Sequence, residues 1–254
     1  APLLQTLIEL SHRLTSGGLI IFCLALCYFC VKSFPKKHLS RFFSFFYFFL
    51  LIVESLLGAF LVKFEHVAQN KSIYRGFSVS FHLINTFLLV FAAGAILYFV
   101  SSEKVQWKIR KKKEKSFLFI GAFLMTLVGL SGVITALGDT LFPAKGVWDA
   151  LIKSQSAAEH IFVRLRIYHP FLAIFTSLFL MSLCFYLKEP GDRLSEKSAK
   201  VTTCLLGGQL FLGYMNVFFH APYSLQLLHL IVALISWLSY CFFSARILLV
   251  FRKA

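Results

Sequence analysis

The chain has 254 residues, 58% of them hydrophobic and 31 of them phenylalanine, with a formal net charge of +15. That much apolar surface excludes an ordinary soluble domain, and runs that are continuous rather than alternating exclude a β-barrel. The Lys and Arg excess falls in short connectors, which reads as a membrane-topology signal rather than a nucleic-acid surface.

Seven spanning helices are predicted. The first, Leu3 to Val31, opens on ELSHRLTSGG, which sets Glu9, His12 and Arg13 at the edge of the hydrocarbon. Ionisable groups are costly there and mark function. The basic connector KSFPKKHLSR leads to the second span, Ser40 to Phe64. A loop near Glu65 to Tyr74 follows, and then the third span, Gly76 to Val100, with Arg75 at its start and His82 inside it. The connector SSEKVQWKIRKKKEK, Ser101 to Lys115, is again basic.

The fourth span, Ser116 to Leu137, ends in a long, nearly neutral loop from Gly138 to Gln155. The fifth, Ser156 to Leu187, carries Arg164, Arg166 and His169. Pro170 directly after His169 predicts a kink beside that histidine. The mixed connector KEPGDRLSEKSAK precedes the sixth span, Ser198 to Phe219; the turn HAPY precedes the seventh, Tyr223 to Phe251, with His229. The basic connectors and the terminal FRKA alternate so as to share one face, the cytoplasmic one. Six cysteines (Cys23, Cys27, Cys30, Cys184, Cys204, Cys241) all lie in apolar runs, which predicts small buried hydrophobes rather than disulfides.

Histidines reveal an internal repeat. His12, then ESLLGAFLVKF, then SFHL in the first half correspond to His169, then GQLFLGYMNVF, then LLHL in the second. Gly58 follows His12 by 46 positions and Gly213 follows His169 by 44. The predicted fold is therefore an all-α polytopic membrane protein of two pseudo-symmetric helical bundles. Residues 1–100 form an N-terminal half-bundle, 101–115 a basic cytoplasmic linker and 116–254 a C-terminal four-helix bundle.

On this topology His12, His82, His169 and His229 lie in the outer halves of their helices, His82 about 10 Å inside Arg75 at the helical rise. One such histidine makes an interhelical hydrogen bond. Two per repeat at matched depth fit axial ligation of haem iron. Zinc fits less well, since no carboxylate or thiolate completes either set. Arg13, Arg75, Arg164 and Arg166 are candidate partners for haem propionates, or snorkel to the headgroups. His38, His66, His160 and His220 read as loop or helix-end side chains. Glu9 stands three residues before His12 on one helix face, where the second half has Arg166. That asymmetry points to chemistry in one half and a held cofactor in the other.

These segments resemble the haem A synthases of bacteria and mitochondria. IELSHRLTSG looks like that family's first glutamate-and-histidine motif, and LLGAFLVKFEHVAQNKSIYRGFSVSFHL resembles its glycine helix, outer loop and second histidine. GLSGVITALGDTLFP looks like the start of the second half; AEHIFVRLRIYHPFLA and QLFLGYMNVFFHAPYSLQLLHL are similar to the third and fourth histidine motifs. The resemblance implies two four-helix bundles in the bacterial cytoplasmic membrane, with the C-terminus cytoplasmic and the haem sites towards the outer face. It also implies oxidation of the C8 methyl of haem O to the formyl group of haem A for terminal oxidases. His12 and His82 would bind the substrate haem, His169 and His229 a haem b cofactor, and Glu9 would be the catalytic acid. Haem O synthase or terminal oxidase assembly factors are the implied partners, alongside membrane lipid.

Three departures stand out. Seven spans are visible where the family has eight, so the first half lacks the counterpart of the fourth span. The outer-loop cysteine pair of some members is missing after Gly138. The third motif reads His169-Pro170 where the family continues His-Arg. A di-haem b-type electron-transfer cytochrome needs the same four histidines but no Glu9. A haem-handling assembly protein would hold haem loosely and make no formyl product, and a transporter of another solute would bind none.

Overall fold

The apolar runs fold as helices because an unpaired peptide group in lipid costs several kcal/mol, and a helix pairs every one internally. The computed structural model describes residues 2–67, 70–100, 104–108 and 110–252; for residues 2–5, 8, 9, 104–107 and 250–252 it describes the backbone alone. The helices are α1 (Pro2–Ser33), α2 (Leu39–Lys63), α3 (Ile73–Val100), α4 (Lys112–Leu141), α5 (Val147–Gln155), α6 (Ile161–Leu165), α7 (Tyr168–Leu187), α8 (Arg193–Phe218) and α9 (Tyr223–Leu248). Among the described residues, seven stretches are long and apolar enough to cross a membrane: Leu10–Ser33, Leu39–Lys63, Ile73–Val100, Lys112–Leu141, Ile161–Leu187, Arg193–Phe218 and Tyr223–Leu248. The chain is an all-α, multi-pass integral membrane protein.

Two details differ from the sequence reading. The seventh helix stops at Leu248, and Leu249–Arg252 forms a short strand, β2, antiparallel to β1 (Lys104–Trp107) in the basic linker. Apolarity alone carried the predicted helix to Phe251, but Leu249 and Val250 also suit a strand. The fifth span is broken into α6 and α7 at Arg166 and Ile167. Pro170 sits in the first turn of α7, where its missing N–H costs nothing. Arg166 and Ile167 both keep helical backbone angles, so the helical path continues through this interruption, two residues before His169.

In the second half α4, α7, α8 and α9 close a ring: α7 packs on α4 and α8, and α9 on α8 and α4. Its dry core lies at the end next to β1 and β2, around Leu118, Leu180, Leu183, Cys184, Leu206, Tyr240, Phe243 and Ile247. Gly121 lets this core close, because a Cβ there would stand 2.7 Å from Leu180 Cδ2 and against the Tyr240 hydroxyl. Tyr240 donates to Leu118 O at 2.8 Å, which joins α9 to α4.

The first half is an open row. α1 packs on α2, α2 on α3, and α3 on α4 and α9 of the second half. Phe87 and Trp237 stack at 5.1 Å across the α3–α9 seam, and Trp237 Nε1 donates to Phe87 O at 2.8 Å. Gly94 on α3 brings the backbones together there, since a Cβ would run into Leu238 Cδ1.

The linker, the α7–α8 connector and the end of α9 meet at one end of the second bundle. Lys108 and Arg110 of the linker both pair with Glu189 of the α7–α8 connector. Lys108 also donates to Arg246 O, and Arg110 to Ile247 O. Asp192 caps α8 by accepting from Leu194 N and Ser195 N, and it pairs with Arg246 at 2.8 and 3.0 Å. Burial by itself would raise the Asp192 carboxyl; Arg246 and the two cap N–H groups outweigh it and hold it below the ordinary carboxylate range.

Candidate functional site

The ends of α4, α7, α8 and α9 remote from the dry core carry the second histidine pair. His169 begins α7, held against α4 at Ser131 and Gly132. Ser131 Oγ lies 2.9 Å from His169 Nδ1 and also 2.9 Å from Val128 O. A hydroxyl has one proton, and a carbonyl can only accept, so Ser131 gives its proton to Val128 and accepts from Nδ1–H. That fixes the imidazole tautomer and leaves the Nε2 lone pair for a metal. Gly132 is the floor beneath the ring: a Cβ there would stand 3.2 Å from His169 Cε1.

His229, on α9, lies against α8 in the same manner. A Cβ at Gly213 would stand 3.5 Å from His229 Cε1. His169 packs on α4 and His229 on α8, helices of the same closed ring. His229 Nδ1 is buried with no hydrogen-bond partner among the described residues, as is Gln209 Oε1 one turn before Gly213. Orphaned buried polar atoms are rare and mark sites completed by another group.

The first half is built around His82 on α3. Its Nδ1 lies 2.8 Å from Glu54 Oε1 on α2. Glu54 also accepts from Asn85 Nδ2 at 2.7 Å and from Thr86 Oγ1 at 2.5 Å. His12 lies exposed on α1, and the Thr15 and Ser16 hydroxyls donate back to its carbonyl. α1 packs on α2, and His82 lies on α3, the next helix of the row. Glu9 is part of α1, but its side chain lies outside the described residues.

The four arginines differ. Arg13 is exposed on α1 and Arg164 exposed on α6. Arg75 starts α3 and donates to Asn70 O at 3.0 Å. Arg166 is 6% exposed and already engaged with Asp139 at 3.3 Å, Ser154 and Ala150 O, so it ties α4 to α5. On α5 Asp149 accepts from Lys145 N and pairs with Lys153; first the N–H and then the ammonium hold its carboxyl low. The other histidines sit at ends of elements: His38 and His160 cap α2 and α6, His66 bonds Ser78, and His220 has a left-handed φ of 56°.

Sequence reasoning missed Glu54, Ser131 and Gly132 as site residues. Glu54 had a signal, being the lone carboxylate in its span. Ser131 had none, because its role depends on which helix faces His169. All six cysteines are free, and Cys23, Cys27, Cys30 and Cys184 are buried.

Among the described residues no three His, Cys, Asp or Glu side chains gather to hold a metal ion. Two imidazoles in one helical ring, each with a glycine in place of a side chain beside its Cε1, suit a planar macrocycle instead. His169 and His229 fit haem by this measure: one has its Nε2 lone pair fixed by Ser131, and the other stands beside a glycine with a buried Nδ1 that can carry the proton and leave Nε2 for iron.

Comparison with known proteins agrees with this geometry. The sequence model of the COX15-CtaA family, described as cytochrome oxidase assembly protein, matches residues 4–241. Two proteins named protoheme IX farnesyltransferase, from two strains of Thermus thermophilus, are each 36% identical over 244 residues. The match covers 95% of this chain and 40% of each relative, so the chain spans well under half of their length. No solved structure matches.

Proposed function

The chain belongs to the COX15-CtaA family of cytochrome oxidase assembly proteins, and within it we propose that this protein oxidises the C8 methyl of haem O to the formyl group of haem A. The observation that carries the proposal is the His169–His229 pair, with glycine behind each ring and the His169 tautomer set by Ser131. This pair holds haem b in the C-terminal bundle, residues 116–254. His12 and His82 receive the substrate haem in the N-terminal half, residues 1–100. The names of the Thermus relatives support this reading, because farnesylation of protohaem produces the class of substrate it requires.

Bound haem supplies the redox chemistry of C–H oxidation. The chain's own residues orient and protonate. Glu9, on the His12 face of α1, takes or gives a proton at its carboxyl oxygen. Arg13, Arg75 and Arg164 pair with the propionates, while Arg166 holds the loop that covers them. With the basic connectors cytoplasmic, both sites face the outer leaflet.

Co-expression with a haem O synthase, followed by mass analysis of extracted haem, tests the proposal. Haem A is expected from the wild type. Glu9→Gln is expected to retain haem but lose formyl product. Haem without any formyl product in the wild type contradicts the proposal and favours an electron-transfer cytochrome.

A further inference from the structure

We infer that Glu54 is a positioning residue for His82, with Gln209 its uncharged counterpart behind His229, so that the two halves offer iron imidazoles of unequal donor strength. The inference rests on the haem reading above.

Glu54 is 17% exposed in the middle of an apolar helix, where a carboxylate persists only if it is fully hydrogen-bonded. It is. Oε1 takes His82 Nδ1 at 2.8 Å and, at 2.5 Å, the Thr86 hydroxyl, which it shares with His82 O; Oε2 takes Asn85 Nδ2 at 2.7 Å. Asn85 is itself fixed by a second bond to Leu50 O at 2.9 Å. The acceptor places a proton on His82 Nδ1 and leaves Nε2 as the nitrogen for iron.

The repeat carries this arrangement into the second half with one change of charge. Glu54 precedes Gly58 by four residues, and Gln209 precedes Gly213 by four. His82 is followed at three and four residues by Asn85 and Thr86, His229 at the same offsets by Val232 and Ala233. The carboxylate and its two extra donors are thus replaced together, as they must be if the donors serve the charge. Gln209 Oε1, an acceptor, and His229 Nδ1, which can donate, are both buried and unpartnered among the described residues. Gly213, one turn from Gln209, touches the His229 ring. In the repeat register Gln209 thus takes the place of Glu54, a neutral amide that makes no hydrogen bond to His229 in this structure.

A carboxylate behind a ligating imidazole makes it more basic and favours ferric iron; an amide does so less. The first-half haem is then the harder to reduce. Redox titration of the full chain in detergent, loaded with haem B, tests this. The haem lost in His82→Ala belongs to the first half, and the haem lost in His229→Ala to the second. If His82→Ala loses none, the haem reading of the first half fails before Glu54 is at issue. Otherwise Glu54→Gln is expected to raise the midpoint potential of the first-half haem and leave the other in place. Gln209→Glu is expected to lower the second-half potential. Should Glu54→Gln release its haem, Gln209→Glu decides alone. Unmoved potentials with both haems retained overturn the inference and leave the haem reading standing.

Discussion

Ser131 accepts a hydrogen bond from His169 Nδ1 at 2.9 Å and passes its own proton to Val128 O. The imidazole is therefore held in one tautomer before any ligand arrives. Ser131→Ala removes that acceptor while leaving the helix intact, since alanine is the better helix former. Loss of such a partner behind a ligating histidine weakens metal-group binding about 10- to 100-fold. The haem dissociation rate of the second-half site is the measurement.

The two glycines behind the second pair predict unequal responses. A Cβ at Gly132 would stand 3.2 Å from His169 Cε1, tighter than ordinary contact, whereas one at Gly213 would stand 3.5 Å from His229 Cε1. Gly132→Ala is expected to displace its ring and shift the haem absorption spectrum. Gly213→Ala is expected to leave the spectrum nearly unchanged. Spectra of the two variants side by side check this.

Asp192 has its carboxyl lowered in the folded protein, so its charge stabilises the fold above the ordinary carboxylate pKa and ceases to as pH falls through the lower folded value. Asp192→Asn keeps the α8 cap, because asparagine caps as well as aspartate. It removes only the charge opposite Arg246. A loss of about 1.5 kcal/mol is expected near neutral pH. The difference from wild type should vanish once the pH drops from about 4 through the depressed value. Thermal unfolding in detergent across that pH range is the check.

The halves are joined at Trp237, whose Nε1 donates to Phe87 O across the α3–α9 seam. Trp237→Phe retains most of the stacking and leaves no new donor unpaired. It strips a buried carbonyl of a partner, at about 1–3 kcal/mol. Lower thermal stability with retained haem is expected.

Helix number was legible because hydropathy is a local property of sequence. The observed spans begin and end within a few residues of those predicted, apart from the starts of the fifth at Ile161 and the sixth at Arg193; α1 itself begins at Pro2, beside the predicted Leu3. The end of α9 was misread because apolarity does not separate a helix from a strand at Leu249 and Val250. The histidine repeat was legible as spacing, and the structure sets His169 and His229 on helices of one closed ring, whereas His12 and His82 lie on α1 and α3 of the open row, whose packing spacing alone does not reveal. Arg166 illustrates the same limit: beside His169 in sequence, it turns to Asp139 in space. Glu54 and Ser131 became visible only when α2 and α4 were placed against α3 and α7.

The most direct test of the account is the haem content of histidine variants, read by pyridine haemochrome with the extracted haem identified by mass. His169→Ala and His229→Ala should each lose haem b from the C-terminal bundle, and His38→Ala should lose none. Full haem content in both bundle variants would contradict the account.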